Sequence, residues 1–210
     1  MIELLIATTN PGKFAEVRDF LRDLPLRLIS LRELANPPVV IEDGESFEAN
    51  ALKKARTLAQ FSGKMTLADD SGIEVDALDG APGIHSARYA GPECDDGANN
   101  AKLLGALTNV PAAKRTARFV CALALCAPAG AGLREWTVRQ SCEGKIAFAP
   151  KGNQGFGYDP LFCYPPLGKT FGQIDRHTKA GVSHRGKALG EFAKLLPLWI
   201  NFTANRPRQT

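Results

Sequence analysis

A chain of 210 residues that is 44% hydrophobic and 23% charged has the make-up of a globular protein, long enough for one large domain or two lobes sharing a core, which excludes disorder. Its net charge of +4 is dispersed, apart from a short tail at 205–210 that is expected to be frayed and solvated; this argues against stable nucleic-acid binding and leaves room for a small polyanion. No apolar run approaches the roughly 18 residues of a membrane span and the first residues lack a leader pattern, so a cytoplasmic protein without membrane contact is expected.

The chain opens on a short apolar strand, Ile2-Glu3-Leu4-Leu5-Ile6-Ala7, that runs into Thr8-Thr9-Asn10-Pro11-Gly12-Lys13. Asn10 suits a helix N-cap, Pro11 suits the first helical position, and Phe14, Val17, Leu21 and Leu24 then recur on one face. A helix starting beside Lys13 turns its free N–H groups and positive dipole end toward an anion. Lys13 adds a full charge, and Thr8, Thr9 and Asn10 add neutral donors, so phosphate is the natural guest. The junction is not a Walker A loop, because Ala7 stands where that motif needs Gly and Phe14 where it needs a hydroxyl.

Residues 26–31 read as a strand, and Ser46 begins a helix that passes through Leu52, Ala55 and Ala59 to a stop at Gly63. Two short strands are predicted around Leu67 and Val75. Between them, Ala68-Asp69-Asp70-Ser71-Gly72 places two acids at a strand end before a turn. Adjacent side chains on extended backbone point to opposite faces, so one carboxylate, Asp70, is assigned to the site and Asp69 to its support. Glu42 is a second candidate ligand. A pair of such acids beside phosphate suits Mg²⁺, which takes oxygen ligands and commonly bridges carboxylates to phosphates. The Gly- and Pro-rich stretch 79–92 reads as a functional loop or hinge. Asp95 can cap a helix carrying Leu103, Leu104 and Leu107; 118–127 and 133–143 read as a long hairpin; a last helix runs from about Ser183 through Leu189, Phe192 and Leu196. Cys94, Cys121, Cys126, Cys142 and Cys163 have no close Cys-x-x-Cys spacing and read as reduced thiols, and His85, His177 and His184 are too scattered for zinc. The mixture of βα units with a long antiparallel pair gives an α/β fold with a mixed sheet.

Two further motifs, Gly155-Phe156-Gly157-Tyr158-Asp159-Pro160 and Ser183-His184-Arg185-Gly186-Lys187-Ala188, complete a set. With 7–13, 68–72 and Gly80-Ala81-Pro82-Gly83-Ile84-His85-Ser86-Ala87-Arg88-Tyr89-Ala90-Gly91, they resemble, in order and over nearly the whole chain, the Ham1/RdgB-type inosine triphosphate pyrophosphatases. His85 stands where that family commonly has Tyr, Ala49 replaces a frequent Glu, and 174–178 lack the acid-rich form often seen there.

The resemblance implies one domain over 1–210, an elongated mixed β-sheet with flanking helices forming two lobes around a central cleft. It also implies a Mg²⁺-dependent homodimeric enzyme that converts non-standard purine nucleoside triphosphates (ITP, dITP, XTP) to the monophosphate and pyrophosphate. Carried over by position, Thr8, Thr9, Asn10, Pro11, Gly12 and Lys13 hold the triphosphate, with Lys53 on the phosphate side. Glu42 and Asp70 hold the metal and Ser71 touches the substrate; Asp70 is the candidate catalytic carboxylate, as base or as metal ligand only, two roles the sequence does not separate. Phe156, Gly157, Tyr158 and Asp159, with Lys179, Ser183, His184 and Arg185, form the nucleoside pocket. The residues agree: a ring between two glycines can lie on a purine face, and Arg185 and Lys179 are donors suited to a purine with an oxygen at position six. Two other functions fit part of the pattern: a non-catalytic nucleotide-binding or sensor protein, which would not need the acids, and a pyrophosphatase with another base preference.

Overall fold

The first strand, β1 (Ile2–Ala7), lies inside the sheet, paired in parallel with β2 (Leu26–Ser30) on one side and β3 (Met65–Val75) on the other. The structure, a computed structural model, describes residues 2–130 and 132–204; the basic tail 205–210 lies outside them. Antiparallel pairing continues from β3 through β4 (Thr116–Ala129), β5 (Gly132–Ile146), β6 (Phe162–Tyr164) and β7 (Lys169–Thr170). The result is a seven-stranded mixed sheet of order β2-β1-β3-β4-β5-β6-β7. Helix α1 (Pro11–Leu21) is capped by Asn10, whose side chain accepts from the Lys13 N–H at 3.0 Å, as the Asn-Pro pair predicts. Helix α2 (Phe47–Ser62) starts on Ser46 and stops on left-handed Gly63. Helix α3 (Asp96–Ala106) is capped by Asp95.

Three apolar clusters hold the layers together. On one face, Leu4, Ile6, Leu67, Leu123 and Leu125 pack under Val17 and Leu21 of α1 and under Leu189, Phe192 and Leu196 of α5 (His184–Ala204). On the other, Leu5, Ala7, Ala122 and Ala124 pack under Ala51, Ala55 and Leu58 of α2. Strand β4 is buried on both faces, which is why it reads as a nearly continuous apolar run. At the far end of the sheet Ile73, Phe119, Tyr158, Phe162 and Phe171 close a third cluster with Leu103 of α3 and Leu107, which caps its end.

Three expectations change. The acids do not end a strand: β3 runs unbroken for 11 residues, and Asp69, Asp70, Ser71 and Gly72 pair with Leu123, Ala122, Cys121 and Val120. Polar side chains in a central strand imitate a turn in sequence, yet here each finds a charged partner on the helices that cover the sheet. Helix α1 ends at Leu21, so Leu24 joins the same apolar cluster from the following turn. The 183–196 helix is preceded by a separate short helix, α4 (Arg176–Val182), capped by Asp175.

Candidate active site

Strand alternation divides the two acids. Asp69, with Met65 and Leu67, faces α1 and α5, whereas Asp70, with Thr66 and Ala68, faces α2. Each is only 5% exposed.

On the first side Asp69 is saturated. Its carboxylate accepts from Lys13 Nζ at 2.7 Å, Arg185 Nε at 2.7 Å, Ser71 Oγ at 2.9 Å and the Cys121 thiol at 3.2 Å. Burial disfavours the charge, but the Arg185 guanidinium and the Lys13 ammonium outweigh it and hold the carboxyl well below the usual range. Burial also pushes the Cys121 thiol well up, so it stays protonated and able to donate. Arg185 continues to Ser71 Oγ at 2.8 Å and to Glu16. Glu16 in turn accepts from Lys179 Nζ at 2.8 Å, and Lys179 reaches Asp159 Oδ2 at 2.5 Å. Both cations predicted to meet a base are thus anchored on protein carboxylates in this structure.

On the second side the pairing is sparse. Lys54 Nζ sits 3.4 Å from Asp70 Oδ1 and 3.3 Å from Glu42 Oε1, and donates to the Asp69 carbonyl at 2.8 Å. Asp70 Oδ2 is buried with no partner. Burial, with Glu42 beside it, pushes the Asp70 carboxyl up to about 6 against the pull of Lys54 and Lys13. Glu42 goes the other way: its partial burial is outweighed chiefly by the Lys54 ammonium, with Lys13 adding to the pull.

The first side opens on a cavity of about 90 Å³ whose lining includes Asn10, Lys13, Ser71, Phe119, Phe156 and Tyr158. The Phe156 ring lies on the α1 entry turn: a Cβ on Gly12 would stand 2.6 Å from a ring carbon, so this approach requires glycine there. The Phe156 N–H is held by Asp159 at 2.9 Å, and the Tyr158 hydroxyl donates to the Ser86 carbonyl at 2.8 Å. Burial, reinforced by Arg185 and Lys179, keeps His184 neutral; it stacks on Phe119 at 4.6 Å with Nδ1 unpartnered. Ser183 is buried and accepts from the Gly186 N–H at 3.1 Å, starting α5.

The structure therefore brings Asn10, Lys13, Ser71, Phe156, Gly157, Tyr158, Asp159, Lys179, His184 and Arg185 to one cavity, with Gly12 against the Phe156 ring and Ser183 beside His184 at the start of α5; Glu42 and Asp70 lie outside that lining, with Lys54 on the α2 side of β3. Thr8 accepts from the Asn10 N–H at 3.1 Å, while Thr9 and Pro11 are exposed on the same turn. Lys53 is not among them: it pairs with Asp43 at 2.6 Å on the exposed face of α2. Its neighbour Lys54 is the lysine at the acids. A signal for this was present, since Asn50, Ala51, Lys54, Ala55 and Leu58 follow the spacing of a buried helix face and Lys53 does not. Glu16, one turn beyond Lys13, and Cys121 were also missed; nothing in the sequence marks a thiol within an apolar strand as a carboxylate's partner.

A model described as the Ham1 family matches residues 4–195. The chain belongs to the Ham1 family. It is 52% identical over 191 residues to the dITP/XTP pyrophosphatase of Syntrophobacter fumaroxidans, covering 91% of this chain and 80% of that one. It is 51% identical over 197 residues to the dITP/XTP pyrophosphatase of an Exiguobacterium species, covering 93% and 98%. Among solved structures, the HAM1 protein from Coxiella burnetii superposes with a TM-score of 0.84 at 38% identity, covering 94% of this chain and 99% of that one. The Staphylococcus aureus Ham1 protein gives 0.82 at 38% identity, covering 93% and 98%. The mixed sheet with flanking helices described above is the Ham1 architecture.

Proposed function

We propose that this Ham1-family chain hydrolyses non-standard purine nucleoside triphosphates such as dITP, XTP and ITP to the nucleoside monophosphate and pyrophosphate. The observation that carries the reading is a buried Asp70 carboxylate with an unpartnered oxygen, within electrostatic reach of Lys13, which itself lines the aromatic cavity beside Phe156. The names of the relatives agree with it. The triphosphate binds at the start of α1, where Lys13, Asn10 and the free N–H groups of the first turn neutralise it. The base enters the Phe156 cavity and stacks on the ring.

Water adds to the α-phosphorus: a new P–O bond forms as the bond to the pyrophosphate oxygen breaks, and the water's proton passes to a carboxylate, for which Asp70 is placed. Chemistry of this kind rests on positioning and electrostatic stabilisation, so a cradle, cations and one base suffice. The donors fit Mg²⁺. Glu42 and Asp70 both reach the Lys54 ammonium, Asp70 Oδ2 lacks a partner, and Mg²⁺ is commonly held by one or two carboxylates with substrate phosphates. Among the described residues no group of three or more His, Cys, Asp or Glu is placed to hold a metal. Bound there, Mg²⁺ would neutralise phosphate oxygens.

One domain with two lobes around the cleft, a homodimer and a cytoplasmic location belong to the same proposal; no helix among the described residues is long and apolar enough to cross a membrane. Pyrophosphate release from dITP, XTP, ITP, dCTP and ATP, with Mg²⁺ and with excess chelator, tests the activity. Release of single phosphate, or turnover undiminished by chelator, would contradict it.

A further inference from the structure

Helix α3 contributes nothing to the phosphate turn or the acid pair, yet three of its side chains, one of them the cavity-lining Asp96, end on backbone that lines the same cavity, and a fourth ends on the adjoining Tyr89. Buried Asn99 accepts from the Ala90 N–H at 2.6 Å and donates to the Ala87 carbonyl at 2.9 Å. Lys102 donates to the Tyr89 carbonyl at 2.6 Å. One turn apart on the same face, Asp96 Oδ2 accepts from the Gly157 N–H at 2.7 Å and Asn100 Nδ2 donates to the Gly157 carbonyl at 2.9 Å. Gly157 is thus gripped through both of its peptide groups, next to Phe156 and in a left-handed conformation with φ of +61°.

Stability alone does not explain this arrangement. Asn100 Oδ1 remains buried without a partner, a penalty that a leucine of similar size would avoid. The side chain is kept with its amide aimed at Gly157. Ala87 and Gly157 both line the cavity and come from segments far apart in sequence. From these contacts we infer that α3 is a clasp: Asp96, Asn99 and Asn100 are positioning residues that fix the 87–90 wall and the 155–159 loop relative to one another. The register of the Phe156 ring over the base follows from them. The inference rests on the nucleoside reading above and acts on base binding, with the phosphate chemistry left to other residues.

The test compares wild type with Asn100→Leu, with Asp96→Ala plus Asn100→Leu, and with Asp96→Asn, whose amide oxygen still accepts from Gly157. Net hydrogen bonds of this kind are individually worth roughly fivefold, so the double variant should raise KM for dITP about tenfold or more, with kcat within about twofold. Inhibition by inorganic tripolyphosphate, which occupies the phosphate turn and has no base, should not move. Amide hydrogen exchange should quicken in 155–159 and stay slow in β4. Asp96→Asn should remain within about threefold of wild-type KM, and Asn100→Leu should show the same pattern at smaller size if the double variant folds poorly. An unchanged KM and unchanged exchange at 155–159 would overturn the clasp. So would a parallel loss of kcat, tripolyphosphate inhibition and β4 protection, which would mark α3 as a general stabiliser. If the wild-type protein did not turn over dITP at all, the functional reading would fail on its own, and the exchange data would still decide whether α3 holds the loop.

Discussion

Asp69 and Asp70 are neighbours on one strand, equally buried, and opposite in character. Asp69 accepts from Lys13, Arg185, Ser71 and Cys121 and is held well below the usual carboxylate range. Asp70 has one long contact with Lys54, an orphaned oxygen and a carboxyl pushed up to about 6. A single residue of strand alternation separates a carboxylate that builds the site from one that is left free to act. The saturated acid ties α1 to α5 through Lys13 and Arg185, and so fixes the proposed phosphate turn against the proposed base pocket. The unsatisfied one is stability given up at the place where chemistry is expected.

The contrast is broken most sharply by removing the free charge. Asp70→Asn should lower kcat by about a thousandfold or more, within the range that a lost base or metal ligand removes, and leave the far-ultraviolet circular dichroism spectrum intact. Near wild-type activity across a Mg²⁺ titration would make Asp70 structural. Removing the other charge should act on the fold. Asp69→Asn leaves Lys13 and Arg185 buried beside a neutral group, and denaturant titration should find it less stable by about 3 kcal/mol or more.

A third expectation concerns pH in the metal-free protein. The folded Asp70 carboxyl titrates near 6, above its ordinary 3.8, so between those values the folded state holds the proton that the unfolded state has released. Asp70's contribution to stability should therefore fall by about 3 kcal/mol as pH rises through that window and stay flat above it. The slope should be missing from Asp70→Asn and retained in Phe156→Ala. The smallest effect belongs to the pocket: Phe156→Ala removes a stacking face open to any purine and should reduce kcat/KM for dITP and for GTP alike, by roughly 1–3 kcal/mol. A loss confined to one base would give Phe156 a selecting role instead.

Much of this was legible in the residues because local signals and tertiary demands coincide. The Asn-Pro cap, the Ser46 start, the Gly63 stop and the long hairpin rich in β-formers each have a local physical cause, and all stand where the patterns put them. Strand β3 did not read correctly, since Asp-Asp-Ser-Gly carries turn chemistry and only the partners on α1, α2 and α5 make it a strand. Strands β6 and β7 and helix α4 are too short for periodicity to register. In the site, the residues that face the cleft were recognisable as motifs. Those that hold them in place, Glu16, Lys54, Cys121 and the polar face of α3, act through contacts that exist only once the chain has folded.

The measurement that tests the division of labour most directly is equilibrium unfolding of Asp69→Asn and Asp70→Asn beside wild type, metal-free at pH 7.5. At that pH Asp70 is ionised in both states, and its burial as an anion costs the folded protein what its raised pKa records. Asp70→Asn should therefore be more stable than wild type by about 1–3 kcal/mol, and Asp69→Asn less stable. Equal destabilisation by the two substitutions would contradict the account.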